Sequence, residues 1–176
     1  SSWGTTDNRN LTVFVRGMLV SDDERDLLPR WAGFVGGVVE SRHLVPTASR
    51  ESLQRDGAWT ALRDSLHRQL VDGLRNLAAR NRDVWRRLLR HHNEALLGAA
   101  LADGQLFDVL TDDLTLPTSE GDLTARAIMG RSKGRIFVSS GEQSSAEALL
   151  FRALKVPIVR GDRFGALAFA TRYGEA

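Results

Sequence analysis

Arg50 is the residue of this chain best placed to do chemistry, and the stretch Val45-Pro46-Thr47-Ala48-Ser49-Arg50-Glu51-Ser52-Leu53-Gln54 shows why. Pro46 holds Val45 out of the helical region and leaves an extended lead-in. The spacing then predicts a helix capped by the hydroxyl of Thr47 or Ser49, with Glu51 in a first turn whose dipole favours negative charge. Arg50 would be fixed at the mouth of that helix. A guanidinium held there suits a phosphate oxygen, because its planar fork of donors matches phosphate geometry and it stays charged. Gln54 would lie on the same helical face and add a neutral donor. Taken alone, these residues describe first a capped surface helix with a solvated arginine; a phosphate contact is the second reading.

Other constellations carry less. Ser139-Ser140-Gly141-Glu142-Gln143-Ser144 follows a strand and opens a helix, where parallel sheets bind phosphates. It has neither of the glycine-rich phosphate patterns, and Glu142 would repel an anion, so a plain βα turn is expected. Arg80, Arg82, Arg86, Arg87 and Arg90, followed by His91 and His92, form the densest basic run. On a helix they spread around more than one face, which describes a solvated surface better than a nucleic-acid patch. Adjacent histidines point to different faces, His43 and His67 are isolated, and there is no Cys, so no metal site is expected. Asp22, Asp23 and Glu24 read as helix capping rather than as acid–base groups.

The elements that must position these residues make an α/β protein. Leu11 to Val20 has the β-branched and aromatic content of a buried strand. Ser21-Asp22-Asp23-Glu24 is a capping box expected to start a helix carrying Leu27 and Leu28, with Pro29 interrupting it or opening another that bears Trp31 and Phe34. Gly36-Gly37 breaks the pattern, and Val38-Val39 reads as a second strand entering the Arg50 stretch. Leu62, Leu66, Leu70, Leu74 and Leu77 then recur at helical spacing after Trp59, the buried stripe of a long amphipathic helix. Asn81-Arg82-Asp83 interrupts, and Asp83 is expected to cap a second helix through Val84, Trp85, Leu88 and Leu89, with Gly98 and Asp103-Gly104 marking its exit. Leu106 to Leu110 suggests a short helix and Leu116 to Ser119 a loop. Arg135 to Ser139, Ser144 to Leu154 and Val156 to Val159 read as strand, helix and strand, a βαβ unit with parallel pairing. Ser1 to Asn10, with Trp3, reads as a frayed lead-in.

Three runs in this order carry a resemblance: Val13 to Trp31 with its Asp-rich turn and Leu-Pro, Phe34-Val35-Gly36-Gly37-Val38-Val39-Glu40-Ser41, and Ser49-Arg50-Glu51-Ser52-Leu53-Gln54. Their order and ungapped spacing resemble the middle domain of the heat-shock protein 90 chaperone family. The likeness is densest over residues 12 to 70, continues over 84 to 90 and 126 to 159, and fades past Gly161. It implies the end of a larger αβα sandwich over residues 1–57, a helical connector over 58–104 and a small αβα sandwich over 105–176, the first lobe's missing strands lying upstream of Ser1. It also implies an ATP-driven chaperone whose nucleotide pocket lies in an N-terminal domain outside this chain. By carry-over, Arg50 would contact the γ-phosphate of ATP, with Gln54 supporting it and Ser49 beside it, and Mg²⁺ would accompany the nucleotide. Unfolded client proteins, a C-terminal dimerisation domain and a cytoplasmic homodimer follow from the same resemblance. At the site the chain departs from the family: Leu44-Val45-Pro46-Thr47 stands where the family has Leu-Pro-Leu-Asn, and Gly17 and Gly36 stand where it tends to have basic residues.

Composition sets the outer bounds. The 176 residues suffice for one compact domain or two small lobes, and 42% hydrophobic with 26% charged residues describes a soluble globular chain. No apolar run approaches the ~18–20 residues of a membrane span. Absence of Cys fits a reducing compartment, and a net charge of +2 does not point to a polyanion. Without an initiator Met or a signal peptide, the chain is expected to be a piece of something longer, and the resemblance implies a divergent, bacterial member. A client-docking scaffold with an incidental Arg50, or a nucleic-acid binder built on the Arg82 to His92 helix, are the alternatives.

Overall fold

Alternating burial builds the first sheet. Leu11, Val13 and Val15 point into the core from β1 (Asn10–Val15), while Thr12 and Phe14 between them are only half-buried. β2 (Met18–Glu24) folds back antiparallel through Arg16 and Gly17, whose φ of 52° and 77° are those of a two-residue type I′ turn. The glycine belongs where φ must be positive, which accounts for its standing in place of a basic residue. β3 (Gly36–Ser41) runs parallel to β1 on its other side, giving the order β2-β1-β3. The computed structural model describes residues 9–139, 141, 145–163 and 165–175. Trp3 with its lead-in, and Ser140, Glu142, Gln143 and Ser144 of the βα turn, lie outside the described residues.

Two expectations change in this sheet. The single strand over Leu11 to Val20 is a hairpin, and Ser21 to Glu24 end β2 instead of starting a helix. Pairing decides this: Val13 faces Ser21 and Leu11 faces Glu24, so the backbone groups a helix would have used are taken by β1. The acidic side chains cap turns instead, Asp23 accepting from the Arg25 guanidinium at 2.8 Å and Glu24 from the Asp26 N–H at 3.1 Å. Around Pro29 there is a chain of turns rather than a helix, linked by Leu28 N–H to Arg25 O, Ala32 N–H to Pro29 O and Val35 N–H to Ala32 O. Those turns send Leu27, Leu28 and Ala32 into the core.

The chain divides into two compact units, Ser1–Asn76 and Leu77–Ala176. In the first, the sheet core is closed by α1 (Gly57–Arg80), which the Asp56 carboxylate caps by accepting from the Trp59 N–H at 2.9 Å. Trp59, Val71 and Leu74 are buried, and Leu62, Leu66 and Leu70 pack against the cluster, so the expected leucine stripe is core up to Leu74, with Leu77 half-buried.

The second unit opens with α2 (Arg82–Ala102), capped by Asn81, whose side chain accepts from the Val84 N–H at 3.2 Å; Asp83 lies inside the first turn instead of capping it. The helix continues past Gly98 to Ala102. His92 has φ −125° and ψ 17°, a kink inside the helix, and just beyond it Asn93 turns to meet Thr115. The Asn93 amide donates to Thr115 O at 2.8 Å and accepts from Thr115 N–H at 2.9 Å, acting as a side-chain partner for the start of β4 (Thr115–Thr118). Asp103 ends α2 and caps α3 (Gly104–Leu110). β4 pairs antiparallel with β5 (Gly121–Thr124), correcting the expected loop at Leu116 to Ser119. After α4 (Ala125–Arg131) come β6 (Phe137–Ser139), α5 (Ser145–Ala153), β7 (Ile158–Arg160) and α6 (Ala166–Glu175), in a sheet of order β5-β4-β7-β6. β6 and β7 are parallel, so the βαβ unit forms as expected. Asn93→Ala should strip both Thr115 backbone groups of partners and cost about 1–3 kcal/mol in urea denaturation. Asn93→Asp, which keeps only the acceptor, should recover part of that loss.

Candidate functional site: the Arg50 hairpin

The Arg50 stretch is a tight hairpin, not a helix. Thr47 N–H donates to Ser52 O at 2.8 Å and Gln54 N–H to Val45 O at 2.8 Å, with Pro46 and Leu53 bridged between them. Arg50 N–H turns back to Thr47 O at 2.9 Å, a β-turn that ends on Arg50 itself. Helix capping fails as an expectation because the hydroxyls are used differently. Thr47 Oγ1 lies 3.1 Å from Ser49 Oγ and 3.2 Å from both Ser52 O and Ser52 Oγ, closing the loop on itself. Gln54 is not one turn away on a helix but on the returning leg, where its amide donates to Pro46 O at 3.0 Å and ties the neck. The first helix waits until Gly57.

Both legs are anchored. Leu44 before the hairpin and Leu53 at its return are buried in the sheet core, 3% and 6% exposed, whereas Ala48, Ser49, Arg50 and Glu51 stand in solvent. Arg50 has φ 60°, the left-handed region a non-glycine residue rarely occupies. Four arginines of this unit hold carboxylates, Arg25 with Asp23, Arg63 with Asp64, Arg75 with Asp72, and Arg55 with Asp26, while Arg16, Arg30, Arg42 and Arg68 hold none among the described residues. The Arg55 hydrogen bond, with the charges of Arg55, Arg9 and Arg30, holds the exposed Asp26 carboxyl below its usual range. Arg55 also lies 4.9 Å over the Trp59 ring. Among the described residues, no carboxylate within the chain pairs with Arg50. The hairpin therefore presents one unneutralised guanidinium at its tip, with the Ser49 hydroxyl next to it in sequence. Such a tip can meet an anion brought from outside.

Comparison with known proteins gives this hairpin a context. A family model described as Hsp90 protein matches residues 2–124. The chain belongs to the Hsp90 family. It is 28% identical to the chaperone protein HtpG of Nitratidesulfovibrio vulgaris over 148 residues, 79% of this chain and 23% of that protein. It is 25% identical to the HtpG of Treponema denticola over 111 residues, 63% of this chain and 17% of the relative. An endoplasmin homolog of Hordeum vulgare is 34% identical over 84 residues, 48% of this chain and 10% of that one. The chain thus spans between a tenth and a quarter of the length of these relatives. A solved structure described as the middle domain of a Plasmodium falciparum heat shock protein superposes with a TM-score of 0.63 at 14% identity, covering 96% of this chain and 68% of that one. The α/β architecture is that of an Hsp90 middle domain, and the likeness reaches through the second unit, past the end of the family match.

Within this Hsp90 fold the remaining constellations resolve as follows. The basic run on α2 is partly spoken for: Arg82 grips both oxygens of Asp113 at 2.9 and 3.1 Å, and His91 Nδ1 lies 2.8 Å from Arg87 O. No group of three or more metal-ligating side chains is found among the described residues. The structure brings the expected residues Arg50, Ser49 and Gln54 together on one hairpin, and makes Thr47, expected only as a helix cap, the hub of the loop. The available signal was hydroxyls at 47, 49 and 52 on either side of a tip, a pattern that cross-links a turn as readily as it caps a helix.

Proposed function

We propose that this chain is the middle-domain segment of an ATP-dependent molecular chaperone, and that Arg50 is delivered to the γ-phosphate of ATP bound in a separate N-terminal domain. The observation that carries the reading is the unpaired, exposed Arg50 guanidinium on a hairpin whose two legs are rooted in the core. A bound nucleoside triphosphate supplies the phosphoryl group and, with Mg²⁺ held outside this chain, the chemistry of transfer. Arg50 contributes a bidentate donor fork and positive charge where negative charge collects on the phosphoryl oxygens. Gln54 acts by bracing the hairpin neck, and Ser49 is a neighbouring hydroxyl for the same phosphate. Carrying the guanidinium on a different domain from the nucleotide makes hydrolysis depend on a domain movement. A dimeric, cytoplasmic clamp that closes over unfolded chains fits this arrangement. The deciding experiment is steady-state ATPase activity of a longer protein containing both domains, with and without Arg50→Ala. The 176-residue chain by itself should show no hydrolysis.

A client surface is the second part of the reading, favoured by α5 and its exit. Leu149, Leu150 and Leu154 are 65%, 57% and 61% exposed, large apolar side chains clustered in six residues. Phe151 between them turns inward onto Phe137, ring centroids 5.2 Å apart, so the leucines are not needed to dock the helix. Exposed apolar surface of this kind is what a holder of unfolded segments requires. Replacing all three leucines by Ser should leave the melting temperature nearly unchanged while weakening suppression of aggregation of an unfolded test protein several-fold. Undiminished suppression would remove α5 from the client surface.

A further inference from the structure

Thr47 occupies a position that neither the basic chemistry of the site nor the family pattern predicts for a threonine. Its hydroxyl links the tip to the return leg: Ser49 Oγ lies at 3.1 Å on the outgoing side, Ser52 O and Ser52 Oγ at 3.2 Å on the return. Its backbone carbonyl takes the Arg50 N–H at 2.9 Å, and its own N–H is bound to Ser52 O at 2.8 Å. All of these contacts surround the residue that carries the guanidinium. Arg50 itself sits at φ 60°, a conformation an L-residue leaves unless its surroundings hold it there. Neither leg supplies that hold directly, since Leu44 and Leu53 fix only where the hairpin emerges.

We propose that Thr47 is a positioning residue: a hydroxyl clasp that keeps Arg50 left-handed and so keeps its guanidinium aimed outward before any nucleotide arrives. This rests on the reading of Arg50 as phosphate-directed. A clasp of this kind removes the need to order the loop at the moment of closure, and placement errors of about 1 Å in a charge-stabilising group lower rates by roughly 100-fold. The hydroxyl can donate to only one acceptor at a time. Ser52 O accepts that hydrogen, and the two serine hydroxyls can each donate to Thr47 Oγ1 in turn, so the contacts are mutually consistent.

Thr47→Val keeps the shape and removes the hydroxyl; Thr47→Ser keeps the hydroxyl. Two measurements separate the possibilities. In the 176-residue chain, NMR of the Arg50 amide should show the intraresidue H–N to Hα signature of positive φ in the wild type and in Thr47→Ser, and an averaged signal in Thr47→Val. In the longer protein, Thr47→Val should lower kcat roughly 10- to 100-fold with KM for ATP unchanged, and Thr47→Ser should restore most of it. A Thr47→Val protein that retains the positive-φ signature and full kcat, while Arg50→Ala is impaired, overturns the clasp and leaves the Arg50 assignment standing. Loss of the signature with kcat intact also overturns it, because the loop would then be ordered without consequence for turnover. If Arg50→Ala itself leaves kcat unchanged, the phosphate reading is what fails, and the positioning role falls with it.

Discussion

Arg50→Ala, introduced into a protein that joins this segment to its ATP-binding domain, should lower kcat for ATP hydrolysis at least about tenfold. The ceiling is the ~10³–10⁵ contributed by arginines that one protein or domain donates to another's triphosphate. The observed drop falls short of that ceiling to the extent that domain closure, and not phosphoryl transfer, limits the wild-type rate. Nucleotide affinity should change little, since the proposed function places the pocket in another domain. Arg50→Lys should be intermediate at best, because an ammonium keeps the charge but loses the planar fork. Arg50→Gly is the sharpest control. Glycine accepts the φ of 60° without a Cβ penalty, so this variant should be at least as stable as Arg50→Ala while remaining as inactive. Stability and activity then separate, which a merely structural role for Arg50 would not allow. Hydrolysis within twofold of wild type in all three variants would sink the assignment.

How much of this could be read from the residues depended on which force decided each segment. The two long helices announced themselves, because burial enforces a period: Leu62, Leu66, Leu70 and Leu74 on α1 and Trp85 and Leu89 on α2 face the cores their spacing implies, whereas the short α4 and α6 went unread. The βαβ unit of β6, α5 and β7 was legible for the same reason. What was misread lies where hydroxyls and carboxylates can cap either a helix or a turn. Ser21 to Glu24 and Thr47 to Ser52 both carry helix-start chemistry, and in both a strand-like pairing elsewhere in the chain took the backbone first. β4 escaped notice because Pro117 cannot donate to a ladder; the strand forms because β7 meets β4 only at Thr118, paired with Val159. The family pattern gave Arg50, Ser49 and Gln54, and the side-chain geometry gave Gln54 a bracing role and Thr47 a place beside them. Three-dimensional proximity across the hairpin is the information a linear reading lacks.

A large stability effect outside the apolar cores, one that also depends on pH, should come from Asp113, in the turn between α3 and β4. Trp85 is fully buried on α2, and its indole N–H has one acceptor, Asp113 Oδ2 at 2.8 Å; the same carboxylate receives the Arg82 guanidinium through both oxygens. Burial opposes ionisation of this carboxyl, but the hydrogen bonds from Arg82 and Trp85 outweigh it and hold its pKa below the usual aspartate value. Asp113→Ala would orphan the indole N–H inside the second unit, a loss of about 1–3 kcal/mol before any relaxation. Asp113→Asn keeps an acceptor for Trp85 and loses the charge that holds Arg82, so it should be milder near neutral pH. The sign with pH follows from the lowered pKa. A carboxylate depressed by folding contributes its full stabilisation above its unfolded pKa of about 3.9 and loses it as pH falls through the lower folded value. Urea denaturation followed by hydrogen exchange of α2 should therefore show wild type and Asp113→Asn well separated at pH 6 and converging as the pH falls through the lowered folded value. A gap that stays constant across that range would mean the ionised form of Asp113 does not hold α2 in place, and that Trp85 packing alone secures the start of the second unit.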